Sequence, residues 1–372
     1  MRSLTIDLDA IAHNLATIRK HCPTAKVCAV VKANAYGHGI IPVARHLQAC
    51  GVDYLGVADI DEALQLRDAG ITIPVLAWLH NYDEDFVAAV DAGIDIGVST
   101  PDQLNKIAAA ATQLGKIART HLKVDTGLGR NGATMHDWPE LVSQAQQHIL
   151  SGSVLVVGIF SHLSSTSEAD DRAQIANFEL AVAQAAAVGI TPELRHITAS
   201  DGSLSYPDAH YDMVRTGVAI YGLSPFTDHR AAEYGLIPAM TATARVVQVK
   251  RVAAGQGVSY GYQYRTETET SLALVPVGYA EGLPRNSSGK AQVSINGKLY
   301  PVAARIAMDQ FVVDVGNDDV QPGDIVVLFG DPAKGVPAAD DLAIASDTIN
   351  YEIVTRMGGR FVRQYVGQGA DE

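Results

Sequence analysis

From Thr5 to about Tyr221, short apolar runs alternate with longer amphipathic ones, the pattern of repeated strand and helix pairs. Eight strands are predicted: Lys26–Val31, Tyr54–Val57, Pro74–Trp78, Asp95–Val98, Ala118–Val124, Ser153–Phe160, Glu193–Ile197 and Met213–Thr216. Helical patterns such as Pro101–Leu114 and Arg172–Val188 lie between them. Eight such units within about 220 residues fit a (β/α)8 barrel better than an open sheet. After Pro225 the pattern becomes β-rich, with predicted strands at Ala242–Val252, Ser271–Val277, Gln292–Pro301 and Ile325–Phe329. Asn296-Gly297 reads as a two-residue hairpin turn and Pro322-Gly323 as a break. Helix returns only over Ala339–Met357, with Asp347 as an N-cap and Gly358-Gly359 as its end, before a last strand at Phe361–Val366. The expected domains are therefore a barrel over residues 1–229 and a mostly β domain over 230–372.

A chain of 372 residues, 47% of them hydrophobic, can bury a core of this size. Asp7 and Asp9 interrupt the first ten residues and no apolar run is long enough to span a bilayer, so a soluble, cytoplasmic protein is expected. Cys22, Cys28 and Cys50 lack metal-ligand spacing, which predicts free thiols and no metal site. The net charge of −13 disfavours nucleic acid and anionic membranes as partners and favours a small-molecule substrate.

The chemistry is concentrated where predicted strands end, the functional face of such barrels. Val27–Val31 is apolar enough for a strand buried on both faces, and Lys32 follows it, ahead of an Asn34-Ala35-Tyr36-Gly37 turn. Partial desolvation there favours a neutral amine, the form that condenses with an aldehyde such as pyridoxal phosphate. A strand-terminal lysine reaching for water fits the same residues. Arg130, His162 and Ser200 stand after other strands, and Arg215 stands near the end of the last. His162 also fits a hydrogen-bonded core histidine, and Arg215 a structural ion pair.

Five segments in order resemble the alanine racemase family: VVKANAYGHG from Val30, HLKVDTGLGRNG from His121, MVRTGVAIYG from Met213, VSYG at 258–261 with VPVGYAEG at 275–282, and ARIAMDQ at 304–310 with TINYE at 348–352. The resemblance runs nearly end to end. It implies a pyridoxal 5'-phosphate enzyme that interconverts L- and D-alanine, supplying D-alanine for peptidoglycan. Lys32 would hold the cofactor and exchange the α-proton on one face, while Tyr260 from the partner subunit of a homodimer serves the other. Without that resemblance, Tyr260 in its Ser-Tyr-Gly turn reads as a surface aromatic. A tyrosine base needs a positive environment, which His162 and Arg215 could supply.

The resemblance further implies that Arg215 faces the pyridine nitrogen, where a guanidinium cannot accept a proton and so limits the ring as an electron sink. Tyr36, Tyr351, Ser200 and the amides of Gly217 and Val218 would hold the phosphate. Arg130 would orient the substrate carboxylate, aligned by Lys123 if that lysine is carbamylated. Met308 and Asp309 would meet the same carboxylate from the neighbouring subunit. Two departures from the family pattern, Ala199 beside the phosphate serine and Ala307 before Met308, remove no catalytic group. Tyr279 and Tyr351 would narrow the pocket, and serine remains open as a further substrate. A non-catalytic pyridoxal-phosphate carrier shares only the barrel, and a barrel decarboxylase would place an acid at the position of Arg215.

Overall fold

The computed structural model describes residues 2–370. Two compact units are present, one built of Leu15–Ala33 and Ala44–Ile220, the other of residues 1–14, Asn34–Val43 and Tyr221–Glu372. The first strand, β1 (Ser3–Asp7), does not join the barrel, although the sequence pattern begins there. It pairs with two strands of the second unit described below.

The barrel strands are β2 (Lys26–Val30), β3 (Tyr54–Val57), β4 (Val75–Ala77), β5 (Asp95–Val98) and β6 (Ala118–Asp125), followed by a two-residue β7 (Ala133–Thr134) on the end of β6. β8 (Val154–Phe160), β9 (Leu194–His196) and β10 (Met213–Thr216) complete it. All pairs are parallel, in the order β10-β2-β3-β4-β5-β6-β8-β9. The ring closes between β9 and β10 through bonds from Asp212 N to Arg195 O and from Arg215 N to Thr198 O, each 3.1 Å. The eight expected strands are these eight, three with identical bounds and five with ends differing by one residue. Parallel strands covered on both faces are largely apolar, so their sequence signal is strong. Cys28, Tyr54, Leu76, Val157, Leu194 and Met213 pack into one buried cluster.

The connecting helix expected from Arg172 starts at Glu168, because Ser167 caps it by accepting from Asp170 N. Three acidic residues then complement the helix dipole in the first turn. The helix over Pro101–Leu114 is as expected, capped by Thr100 and ended by left-handed Gly115.

The second unit holds β11 (Met240–Arg245), β12 (Gln248–Val252), a short hairpin of β13 (Gly257–Val258) and β14 (Tyr264–Arg265), and then β15 (Thr270–Val275). β16 (Gln292–Ile295), β17 (Lys298–Ala303), β18 (Phe311–Gly316), β19 (Ile325–Phe329) and β20 (Val362–Val366) follow. Nine of these strands, β1 included, form one sheet in the order β12-β15-β18-β17-β16-β19-β11-β1-β20. β1 runs antiparallel to β11 and parallel to β20. The Asn296-Gly297 turn has φ of 51° and 78°, as a tight hairpin requires. The single strand expected over Ala242–Val252 is broken at Val246 and Val247, whose amides bond to Asp324 and Leu274. The single helix expected over Ala339–Met357 is two, Ala339–Ala345 and Asn350–Arg356. Asp347 is not the cap of the second: it takes φ of 54° in the break, and Ile349 stands at the N-cap position. Among the described residues no helix is long and apolar enough to cross a membrane.

Candidate active site

Lys32 opens a five-residue helical turn, Lys32–Tyr36, that is left-handed. Ala33, Asn34, Ala35 and Tyr36 all have φ between 52° and 55°. L-residues disfavour this by about 1–2 kcal/mol each, so the surroundings must hold it. The Ala33 amide donates to Glu62 Oε1 at 2.6 Å. Asn34 accepts twice, its carbonyl from Gly39 N and its Oδ1 from Ile40 N, both at 2.9 Å. His38 Nδ1 lies 3.0 Å from Ala35 O and 3.1 Å from Tyr36 O, so its proton is on Nδ1, and burial lowers its pKa to about 4. Gly37 has φ of 83°, and a side chain there would meet the Val354 carbonyl.

Burial lowers the Lys32 pKa below the ordinary lysine range, and the Arg130 guanidinium lowers it further, while Glu62 works in the opposite direction. Its Nζ lies 6.0 Å from the Trp78 ring centroid. The buried Lys123 amine is pushed down to about 7 by desolvation, Arg215 and Arg130. Arg130 itself is exposed, in the loop after β6. Lys32, Lys123, Arg130 and Arg215 all bear on His162, and burial with these four charges holds its pKa well below the usual histidine value. His162 is therefore neutral. It is not the source of positive charge that the sequence allowed, because a further cation among four others is unfavourable.

Arg215 is buried and its pKa is lowered by desolvation to about 10, which leaves it charged at neutral pH. Its Nη2 donates to Ser161 O at 2.7 Å, Ile197 O at 3.1 Å and His162 Nδ1 at 3.2 Å. Its Nη1 donates to His196 Nδ1 at 2.9 Å. Among the described residues no carboxylate forms an ion pair with it, which removes the strand-end salt bridge as its explanation. The sequence did not single out His196, His121 or Asp95, which continue this contact; the available signal was polar residues within otherwise buried strands.

Ser200 is buried at the start of a short helix, and its Oγ accepts from Gly217 N at 3.0 Å and Ala219 N at 3.4 Å. The Gly217 amide is thus engaged within the protein. Val218 is buried at the start of the following 3-10 turn. The buried hydroxyls of Thr198 and Thr216, at the ends of β9 and β10, have no hydrogen-bond partner.

In the second unit, Tyr36 packs with Tyr221 and Tyr351, its ring 5.0 and 6.1 Å from theirs, and burial pushes its pKa up to about 12. Tyr260 is 70% exposed, in a turn where Ser259 has φ of 55° and donates its hydroxyl to Arg305 O. Met308 is also exposed. The Asp309 carboxylate is occupied by Arg360 at 2.7 Å, so its side chain is not a free partner for a substrate carboxylate, which it would in any case repel. Arg360 also pairs with Glu281, whose buried carboxylate accepts from Gly278 N at 2.9 Å. Tyr279 N and Ala280 N bond to Ala307 O and Met308 O. The 356–360 segment thus braces the turns carrying Tyr279 and Met308.

A parallel barrel with a desolvated lysine and three further cations at its strand ends, followed by a mostly β unit, defines an enzyme-like scaffold receptive to small anions. The chain matches the family description "Alanine racemase, N-terminal domain" over residues 6–225 and "Alanine racemase, C-terminal domain" over residues 239–365. It is 47% identical over 365 residues to the alanine racemase of Thermobifida fusca, covering 97% of each chain. It is also similar to the crystal structure of alanine racemase from D-cycloserine-producing Streptomyces lavendulae, with a TM-score of 0.97, 47% identity and coverage of 98% of this chain and 97% of that one. The alanine racemase of Streptomyces coelicolor gives a TM-score of 0.97 at 44% identity, over 99% and 98% of the two chains. The chain belongs to the alanine racemase family.

Proposed function

We propose that this protein interconverts L- and D-alanine with pyridoxal 5'-phosphate, and that two subunits share each site. The observation that carries the reading is the lowered Lys32 amine among Lys123, Arg130 and Arg215. The excess positive charge suits an anionic coenzyme and an amino-acid carboxylate, and the unpaired Thr198 and Thr216 hydroxyls leave buried hydrogen-bonding capacity nearby in the barrel. The residues present therefore fit the group. Lys32 would hold it covalently; Tyr36, Ser200, Val218 and Tyr351 would hold its phosphate; Arg215 would face its ring nitrogen. When bound, the coenzyme supplies an electron-withdrawing ring that makes the substrate α-proton removable.

Each residue's part follows from its chemistry. The Lys32 amine, neutral more readily than an exposed lysine, takes and returns a proton on one face of the substrate. The partner's Tyr260 does so on the other, and its exposure suits a residue completed by a second subunit. Arg130 presents a planar fork to the substrate carboxylate. Lys123, with an amine pKa near 7, is nucleophilic enough at neutral pH to add carbon dioxide, releasing a proton and becoming an anion that aligns Arg130. The Met308 backbone, rather than the Asp309 side chain, would approach the carboxylate. The β-rich domain from about residue 230 would cover the partner's barrel mouth. D-Alanine from this cytoplasmic reaction would feed cell-wall precursor synthesis.

Chiral product analysis across small amino acids with added pyridoxal phosphate tests the reading. Formation of D-alanine from L-alanine, and the reverse, is expected. Absence of exchange of the alanine α-proton would overturn it.

A further inference from the structure

Behind Arg215 a line of buried polar groups runs through the barrel interior. Arg215 Nη1 lies 2.9 Å from His196 Nδ1, His196 Nε2 lies 2.9 Å from His121 Nδ1, and His121 Nε2 lies 3.2 Å from Asp95 Oδ2. Asp95 also accepts from Tyr54 at 3.0 Å and from Arg119 Nε and Nη2 at 2.5 and 3.1 Å. His121, His196 and Asp95 are 0–1% exposed. Barrel interiors are ordinarily filled by branched apolar side chains, so three polar residues in series are costly unless every one is satisfied.

The hydrogens in this line have one consistent arrangement. A guanidinium only donates, so His196 Nδ1 accepts and its proton sits on Nε2. His121 Nδ1 must then accept, which places its proton on Nε2, facing the Asp95 carboxylate. Protonating His121 on Nδ1 would set two donors against each other at one end of His196 or the other. Both imidazoles are therefore neutral, and every hydrogen points from Arg215 toward Asp95. The ring of Phe160 lies parallel to His196 at 4.9 Å and fixes its plane. Gly158 leaves the space that His121 fills, since a side chain there would meet its Nδ1.

We propose that His196, His121 and Asp95 are positioning residues. They form a one-way hydrogen-bond chain that brings a buried carboxylate's charge to Arg215, fixing the guanidinium's plane and how strongly it donates toward the cofactor ring nitrogen. The last clause rests on the reading given under Proposed function; the direction of the chain does not. Other groups acting on Arg215 are Cys28, Asp201, His162 and Lys123, and Arg67 acts on Asp95 from outside the chain. None of them replaces the contact to His196. Burial drives the Asp95 carboxyl toward neutrality, but the bonds from His121 and Arg119 outweigh it and keep its pKa low, consistent with an anion at the end of the line.

Nitrogen-15 spectra of histidine-labelled protein without cofactor test the direction. His121 and His196 should both be protonated on Nε2, and His196 should be unchanged between about pH 6 and 9. A proton on Nδ1 of either ring, or titration of His196 near the ordinary histidine value, overturns the proposal. Asp95→Asn and His196→Leu, loaded with pyridoxal phosphate, should move the pH midpoint of the visible absorbance change by about half a unit or more. Both should lower kcat for alanine about three- to thirtyfold, with KM within about twofold. His196→Gln, whose amide can accept from Arg215 and donate to His121, should restore the wild-type midpoint. A wild-type midpoint in His196→Leu, or no rescue by glutamine in a folded protein, overturns the proposed influence on Arg215. Wild-type protein that fails to exchange the alanine α-proton would sink the functional reading, while the nitrogen-15 result would still decide the chain.

Discussion

The Ala33 amide donates to Glu62 Oε1, and the second carboxylate oxygen of Glu62 accepts from Ala58 N at 2.9 Å. One side chain thus ties the end of β2 to the end of β3 and places its charge beside Lys32. Glu62→Gln leaves a single acceptor oxygen for two amides. It should lower stability by about 1–3 kcal/mol, read by chemical denaturation. Since Glu62 raises the Lys32 pKa, its loss should also move the pH dependence of pyridoxal-phosphate attachment toward lower pH.

Shared sites predict complementation. Lys32→Ala and Tyr260→Ala proteins should each be inactive in racemisation. After subunit exchange, half the dimers are hybrids with one intact site of two, so about a quarter of wild-type activity should return. No recovery once exchange is verified by mass spectrometry would argue against a site built from two chains.

Lys123 should carry carbon dioxide. Protein prepared in carbon-13 bicarbonate should show a carbamate resonance that Lys123→Met lacks. In unmodified protein, the folded-state amine has a pKa near 7 against an ordinary 10.5. The unfolded state then binds the extra proton between these values, so this residue adds stability as pH rises from 7 toward 10.5 and removes it as pH falls. Lys123→Met should flatten that slope in urea titrations at pH 7 and 9.

Gly37→Ala should be strongly destabilising, by about 2–4 kcal/mol in denaturant titrations, because it combines an unfavourable φ with a clash against a backbone carbonyl. A change below about 0.5 kcal/mol would mean that the left-handed turn is not held as described.

Arg360→Met should lower the melting temperature more than Asp309→Asn. The first leaves the fully buried Glu281 carboxylate short of a donor, whereas the second removes only a half-exposed pair. Both should raise KM for alanine more than they lower kcat if the Met308 turn meets substrate. Equal melting temperatures would show that Glu281 is satisfied without Arg360.

The barrel was legible because most of its parallel strands are short, largely apolar runs; Lys32 and Ser200 stood out by following such runs and Arg215 by interrupting one. The neutral state of His162 was not legible, since it depends on four charges drawn from three separate segments. Nor was the left-handed turn at Ala33–Tyr36, whose residues carry no handedness of their own and are held by Glu62 and His38. Asp347 resembled a cap because its residue type suits one, but the same side chain tolerates the positive φ that separates two helices. β18 escaped notice between two better-marked strands, yet it lies inside the sheet between β15 and β17.

β1 leaves the ribosome well before both of its neighbours, β11 and β20, which are made more than 230 residues later. During synthesis Ser3–Asp7 must therefore wait unpaired until β11 emerges, and paired on one edge only until β20 does. A chain truncated before Val362 would leave it with an open edge, and its first symptom should be self-association of nascent chains rather than lost chemistry.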